Sequence, residues 1–124
     1  KRLVDPVMEI LSEAGSSQDQ IAEQVIKIIE EEYASDLSIE SCAARLNYHP
    51  TYIWRVMRNK LGTTFQEYLL SYRMKIAKQW LVETDITVME IASRLRYNNA
   101  QNFIRSFKKL TGTTPGHYRA ANRR

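Results

Sequence analysis

A chain of 124 residues with 44% hydrophobic and 26% charged side chains can bury one modest core or two small ones. No apolar run approaches the roughly 20 residues needed to cross a bilayer, and the lone cysteine, Cys42, excludes an internal disulfide and points to a reducing cytoplasm. The net charge of +4 hides a division: residues 1–40 set Lys1, Arg2 and Lys27 against ten acids (−7), whereas residues 41–124 set fifteen bases against Glu67, Glu83, Asp85 and Glu90 (+11). A stretch that basic is an electrostatic footprint for nucleic acid or another anionic surface. The chain begins at Lys1, without Met or a secretory signal, and is expected to be a piece of a longer protein.

Residues 1–15 read as a connector. Asp5-Pro6 can open a short helix and Gly15 close it, with Val7, Met8, Ile10 and Leu11 as an apolar side for docking. Ser16-Ser17 then begin a helix to about Ala34, striped by Ile21, Val25, Ile28, Ile29 and Tyr33, with Glu30, Glu31 and Glu32 near its end. Ser38 caps the next helix, whose buried face is Ile39, Cys42, Ala43 and Leu46. After the turn Asn47-Tyr48-His49, Pro50 takes the first position of another helix. Ile53, Val56, Met57 and Leu61 face inward there, Thr51, Trp54, Arg55 and Arg58 outward, and Gly62 ends it.

Residues 64–83 form the longest uninterrupted pattern. Thr64 and Glu67 make a capping box; Phe65, Tyr68, Leu69, Tyr72, Ile76, Trp80 and Leu81 recur at helical intervals. Such a rod is roughly 30 Å long, close to the about 34 Å of one DNA turn. Thr87 and Glu90 then form a second capping box, flanked by an Ile86–Ile91 staple, for a helix to about Leu95 that buries Met89 or Val88, Ile91, Ala92 and Leu95. Asn98 or Asn99 caps the following helix. It buries Phe103, Phe107 and Leu110, turns Ala100, Gln101, Ile104, Arg105 and Lys108 outward, and ends at Gly112. Thr114 and Pro115 open a last short helix through Tyr118, before a frayed tail from Ala120.

Two segments are near-duplicates on either side of the rod. Arg45, Leu46 and Tyr48 match Arg94, Leu95 and Tyr97; Arg55, Gly62, Thr63, Thr64 and Tyr68 match Arg105, Gly112, Thr113, Thr114 and Tyr118. Each copy is a helix, a tight turn and a second helix with Arg at the same outward position. That is the helix-turn-helix pattern, whose second helix enters the major groove.

These residues resemble the AraC/XylS family of bacterial transcription regulators. Ile91-Ala92, Tyr97, Phe103, Arg105, Phe107-Lys108-Lys109, Gly112, Thr114-Pro115 and Tyr118-Arg119 carry the likeness in the second half. Ala43, Tyr52-Ile53, Arg55, Gly62, Phe65, Tyr68-Leu69, Arg73-Met74 and Ala77 carry it in the first. The resemblance covers about Gln20 to Arg119. It implies an all-α, homeodomain-like fold of seven helices: a first helix-turn-helix subdomain at 16–63, a linker helix at 64–83, a second subdomain at 84–119 and a tail at 120–124. Both recognition helices would enter successive major grooves on one face of double-stranded DNA.

Carried over position by position, the base-facing residues are Thr51, Trp54 and Arg55, then Ala100, Gln101, Ile104 and Arg105. Pro50, Arg58, Asn98, Asn99 and Lys108 are the expected phosphate contacts. Arginine suits guanine and Gln101 suits adenine, whereas Trp54, Ala100 and Ile104 offer only apolar contact, with thymine methyls. The spacing Ile29, Tyr33, Leu37 to Ile39 is similar to members fused behind receivers or membrane sensors, so an upstream sensor or receiver domain is an expected partner and RNA polymerase a candidate one.

The sequence departs from the family pattern in three places. Arg96 replaces a small turn residue where a positive φ is expected, His49 replaces a Ser cap, and Gln101-Asn102 replaces Ser-Tyr. Arg73 is expected to make a structural salt bridge. His49 and His117 lie far apart without Cys or carboxylate at ligand spacing, so no metal or other cofactor is expected. A single cysteine excludes the four-cysteine zinc domain of related DNA-repair proteins. No catalytic spacing or phosphate loop points to an enzyme. The rival reading is an all-α protein-interaction module that uses the acidic first helix and Trp54.

Overall fold

The computed structural model describes the backbone of residues 6–123 and the side chains of residues 17–123. Among the described residues every regular element is a helix: α1 Pro6–Glu32, α2 Ile39–Leu46, α3 Pro50–Leu61, α4 Phe65–Glu83, α5 Val88–Arg94, α6 Ala100–Thr111 and α7 Pro115–Asn122. At 19 residues α4 is about 28 Å long. No helix among these residues is long and apolar enough to cross a membrane.

Local chemistry sets most of the helix ends. Ser38, His49, Thr87, Asn99 and Thr114 cap α2, α3, α5, α6 and α7 through their side chains. The Thr64–Glu67 box is complete: the Glu67 amide donates to Thr64 Oγ1 and the Thr64 amide to Glu67 Oε1, both at 3.1 Å. Ser38 and Ser41 form a second reciprocal box that the sequence reading missed, because Ser at the far end is not the usual Glu or Gln. The expected Thr87–Glu90 box is half made. The Glu90 amide donates to Thr87 Oγ1 at 3.0 Å, but the Glu90 carboxylate turns away to Arg94, also at 3.0 Å. Gly62 and Gly112 end α3 and α6 with φ of 68° and 85°, a conformation that glycine adopts without strain.

Two expected ends move. α1 runs past Gly15, where the sequence reading closed a connector helix; an interior glycine costs about 1 kcal/mol against alanine, which a helix continuous on both sides absorbs. The apolar side expected from Val7, Met8, Ile10 and Leu11, like the structure of residues 1–5, lies outside the described residues. α7 continues to Asn122 instead of stopping at Tyr118, because Asn122 Nδ2 donates to the Tyr118 carbonyl at 2.9 Å and Arg123 pairs with Asp85 at 2.7 Å.

The chain forms two compact units. The first comprises Lys1–Glu31 and Ser38–Glu67, the second Glu32–Leu37 and Tyr68–Arg124. In the first, α2 packs on α3, and the buried side chains are Ile21, Ala22, Val25, Ile28, Ile29, Cys42, Ala43, Ile53, Val56, Met57 and Phe65. Lys60 is held by Asp19 at 3.0 Å.

In the second unit the core is Met74, Ile76, Ala77 and Leu81 of α4, Ile91 and Ala92 of α5, Leu95, and Phe103 and Phe107 of α6. Rings run in series through it, from Tyr97 to Phe103, Phe107 and Tyr118, with centroids 5.5–5.8 Å apart. Val88, not Met89, packs on this core; Met89 is 71% exposed. Leu110, expected inside, is half exposed, since Phe103 and Phe107 already fill the inward stripe of α6.

Two arginines tie down helix C-termini, where carbonyls lack partners and the dipole favours a cation. Arg73 Nε donates to the Tyr33 carbonyl at 2.8 Å and its Nη2 to Ser35 at 3.1 Å, just beyond α1. The expected salt bridge of Arg73 is thus replaced by backbone carbonyls. Arg119 does the same at the end of α4, through Leu81 of its last turn at 2.9 Å and, just beyond it, Thr84 at 3.1 Å and Ile86 at 2.7 Å.

Candidate nucleic-acid interface

The candidate recognition helices are α3 and α6. In α3 the buried residues Ile53, Val56 and Met57 define the inward side. Thr51, Trp54, Arg55 and Arg58 recur at the three- and four-residue intervals of a single stripe on the other side, and all four are exposed. The equivalent stripe of α6 is Gln101, Ile104, Arg105 and Lys108, against an inward side of Phe103 and Phe107. Gln101, Arg105 and Lys108 are exposed. Ala100 and Ile104 are half-buried and pack on the core of their own unit, so less of them faces outward than the sequence suggested.

Several contacts order these stripes. The Arg58 guanidinium lies over the Trp54 ring, 5.7 Å from its centroid, a cation–π arrangement at helical spacing. In α6 the Asn102 amide donates to Asn99 Oδ1 at 2.8 Å, and Asn102 Oδ1 in turn accepts from Arg105 Nη1 at 2.9 Å. Asn99, not Asn98, is therefore the cap. The Asn102–Arg105 tether escaped the sequence reading, although an Asn three residues before an Arg is a visible signal for it. His49 makes its cap after all, as Nδ1 accepts from the Thr51 amide at 3.1 Å.

Charge at the helix starts differs along the chain. α2, α4 and α5 each carry an acid in the first turn (Glu40, Glu67 and Glu90), whereas α3, α6 and the short α7 carry none. A first-turn carboxylate would repel phosphate from the free amides there, and its absence leaves the helix dipole open to an anion. Both helices end on bases, Arg58 and Lys60 in α3, Lys108 and Lys109 in α6.

The turns before α3 and α6 share one backbone solution. Tyr48 N donates to the Ala43 carbonyl at 2.9 Å and Tyr97 N to the Ala92 carbonyl at 3.0 Å, each after a residue in left-handed conformation: Asn47 at φ 62°, Arg96 at φ 71°. The positive φ expected at Arg96 is present, and the second turn keeps the geometry of the first.

Known proteins share this arrangement. A protein-family model described as a helix-turn-helix domain, of the AraC type, matches residues 42–121. The HTH-type transcriptional regulator YtdP of Bacillus subtilis is 44% identical over 97% of this chain, which spans 16% of that protein. More broadly, the chain spans less than half the length of the curated relatives that it matches. The C-terminal domain of AraT, a response regulator from Geobacillus stearothermophilus, superposes with a TM-score of 0.80 at 32% identity, covering 84% of this chain and 87% of that one. The DNA-binding domain of AdpA, a global transcriptional factor crystallised with a target DNA, superposes at 0.73 with 27% identity, covering 82% and 90%. The chain belongs to the AraC-type helix-turn-helix family, the DNA-binding domains of transcription regulators.

Proposed function

We propose that α3 and α6 each enter a major groove and read one half-site of a regulatory DNA sequence. The supporting observation is the pair of outward stripes at equivalent positions, each carrying arginine at its centre (Arg55, Arg105) and no acid in its first turn. Thr51, Trp54 and Arg55 face bases in the first half-site; Gln101 and Arg105 lead in the second, with Ala100 and Ile104 at its edge. Arg55 and Arg105 present a planar fork that meets guanine O6 and N7 together, and Gln101 pairs similarly with adenine. Arg58, Lys108, Asn98, the free side-chain amide of Asn99 and the helix start at Pro50 lie against phosphates and fix register.

Within the longer protein that the curated relatives imply, this segment would be the cytoplasmic output of an upstream sensor or receiver domain, acting on transcription through RNA polymerase and without catalysis of its own. Selection from a random duplex pool, followed by footprinting on the enriched sequence, tests the reading. Two protected stretches with enriched guanines support it. A pool that stays random after repeated rounds would move the protein to the interaction-module class.

A further inference from the structure

Trp54 is a large apolar side chain, 48% exposed, in the middle of an otherwise polar and cationic stripe. With Ile39, Pro50 and Thr51 it lines a shallow hollow of about 300 Å³ at the start of α3. The lining carries no charge and, beyond the Thr51 hydroxyl and the indole N–H, no hydrogen-bonding side chain. Arg58 on the ring and Arg55 next in sequence make the hollow continuous with the proposed reading stripe. In the major groove a cytosine edge offers a donor and a thymine edge an acceptor; the one apolar feature there is the 5-methyl of thymine. Methylation of cytosine at C5 creates the same group at the same place.

We propose that this hollow receives a pyrimidine 5-methyl group, so that binding by the first unit responds to cytosine 5-methylation as well as to thymine. The inference rests on α3 being a groove-entering helix. It assigns the hollow to a methyl carried on duplex DNA, not to a free small molecule, which would need polar anchors that the lining lacks. In the second unit the residue at the equivalent position, Ile104, is half-buried against its own core, so the effect is assigned to the first half-site.

The test uses the selected duplex and fluorescence anisotropy, with each pyrimidine of the first half-site changed singly among thymine, deoxyuridine, cytosine and 5-methylcytosine. Thymine and deoxyuridine differ by one methyl, which is worth about fourfold in affinity when buried. The expected result is one position where deoxyuridine weakens binding by about that factor and where 5-methylcytosine binds more tightly than cytosine. Trp54→Ala should weaken binding overall and abolish both differences. Equal affinity for thymine and deoxyuridine at every position, or a difference that survives in Trp54→Ala, overturns the inference and leaves the DNA reading intact. Failure of the unaltered protein to prefer any duplex overturns both.

Discussion

Asn102 Oδ1 accepts a hydrogen bond from Arg105 Nη1 at 2.9 Å, so the guanidinium proposed to read a base is restrained before any DNA arrives. Asn102 is itself fixed, because its amide is held by the Asn99 cap at 2.8 Å. Restraining a long side chain in advance lowers the ordering penalty of binding, about 0.5–1.5 kcal/mol per side chain. Asn102→Ala should therefore weaken binding to the selected duplex several-fold without changing which base is preferred. Unchanged affinity in a titration would show that the tether does not prepare Arg105.

Arg96 sits in the left-handed region at φ 71°, where its counterpart Asn47 is at home but a long side chain is strained. Arg96→Asn should stabilise the protein by about 1 kcal/mol and raise Tm by about 4 °C. Thermal unfolding followed by circular dichroism measures this; a lower Tm would mean that the Arg96 side chain makes a compensating contact.

Arg119 satisfies three carbonyls, one in the last turn of α4 and two just beyond it. Charge-assisted bonds of this kind are worth about 1.5–3 kcal/mol in total when their partners are left unpaired. Arg119→Ala should destabilise by about that much. Arg119→Lys should recover only part of the loss, because one ammonium cannot span three acceptors. Denaturant titration of the two variants distinguishes a fork from a mere charge.

The Glu67 carboxylate lies below the ordinary glutamate pKa, first because it accepts the Thr64 amide and then through the Thr63 hydroxyl. A lowered folded-state pKa means that this stabilisation is complete above the unfolded value, about 4.3, and is lost as pH falls through the folded value. Glu67→Gln cannot titrate. Its Tm should therefore fall less steeply than that of the unaltered protein below about pH 4, and the two curves should run parallel near neutrality. Parallel curves throughout the acid range would show that the capping box does not titrate with folding.

Much of this was legible in the sequence because it is local. Ser38, Thr64, Thr87 and Thr114, together with Gly62 and Gly112, act within a turn of the helix end that they set, and helical spacing alone separates Thr51, Trp54, Arg55 and Arg58 from Ile53, Val56 and Met57. What could not be read depends on distant partners. Arg73 and Arg119 reach carbonyls 33–40 residues away, and nothing near either residue announces that acceptor. Ile104 and Leu110 traded expected positions for the same reason: which flank of α6 meets α4 is decided by packing, and the hydrophobic pattern fits either flank. Gly15 reads as a stop on composition, although α1 on both sides is helical enough to carry it.

The most direct test of the central claim compares Arg105→Ala and Lys108→Ala on the selected duplex and on a scrambled one, at two salt concentrations. The account predicts that Arg105→Ala loses about 1–3 kcal/mol on the selected duplex alone and relaxes preference at one base position. Lys108→Ala should weaken both duplexes alike and shallow the salt dependence by about one unit. Equal losses on both duplexes for Arg105→Ala would contradict it, since a residue that touches only phosphates behaves in that way.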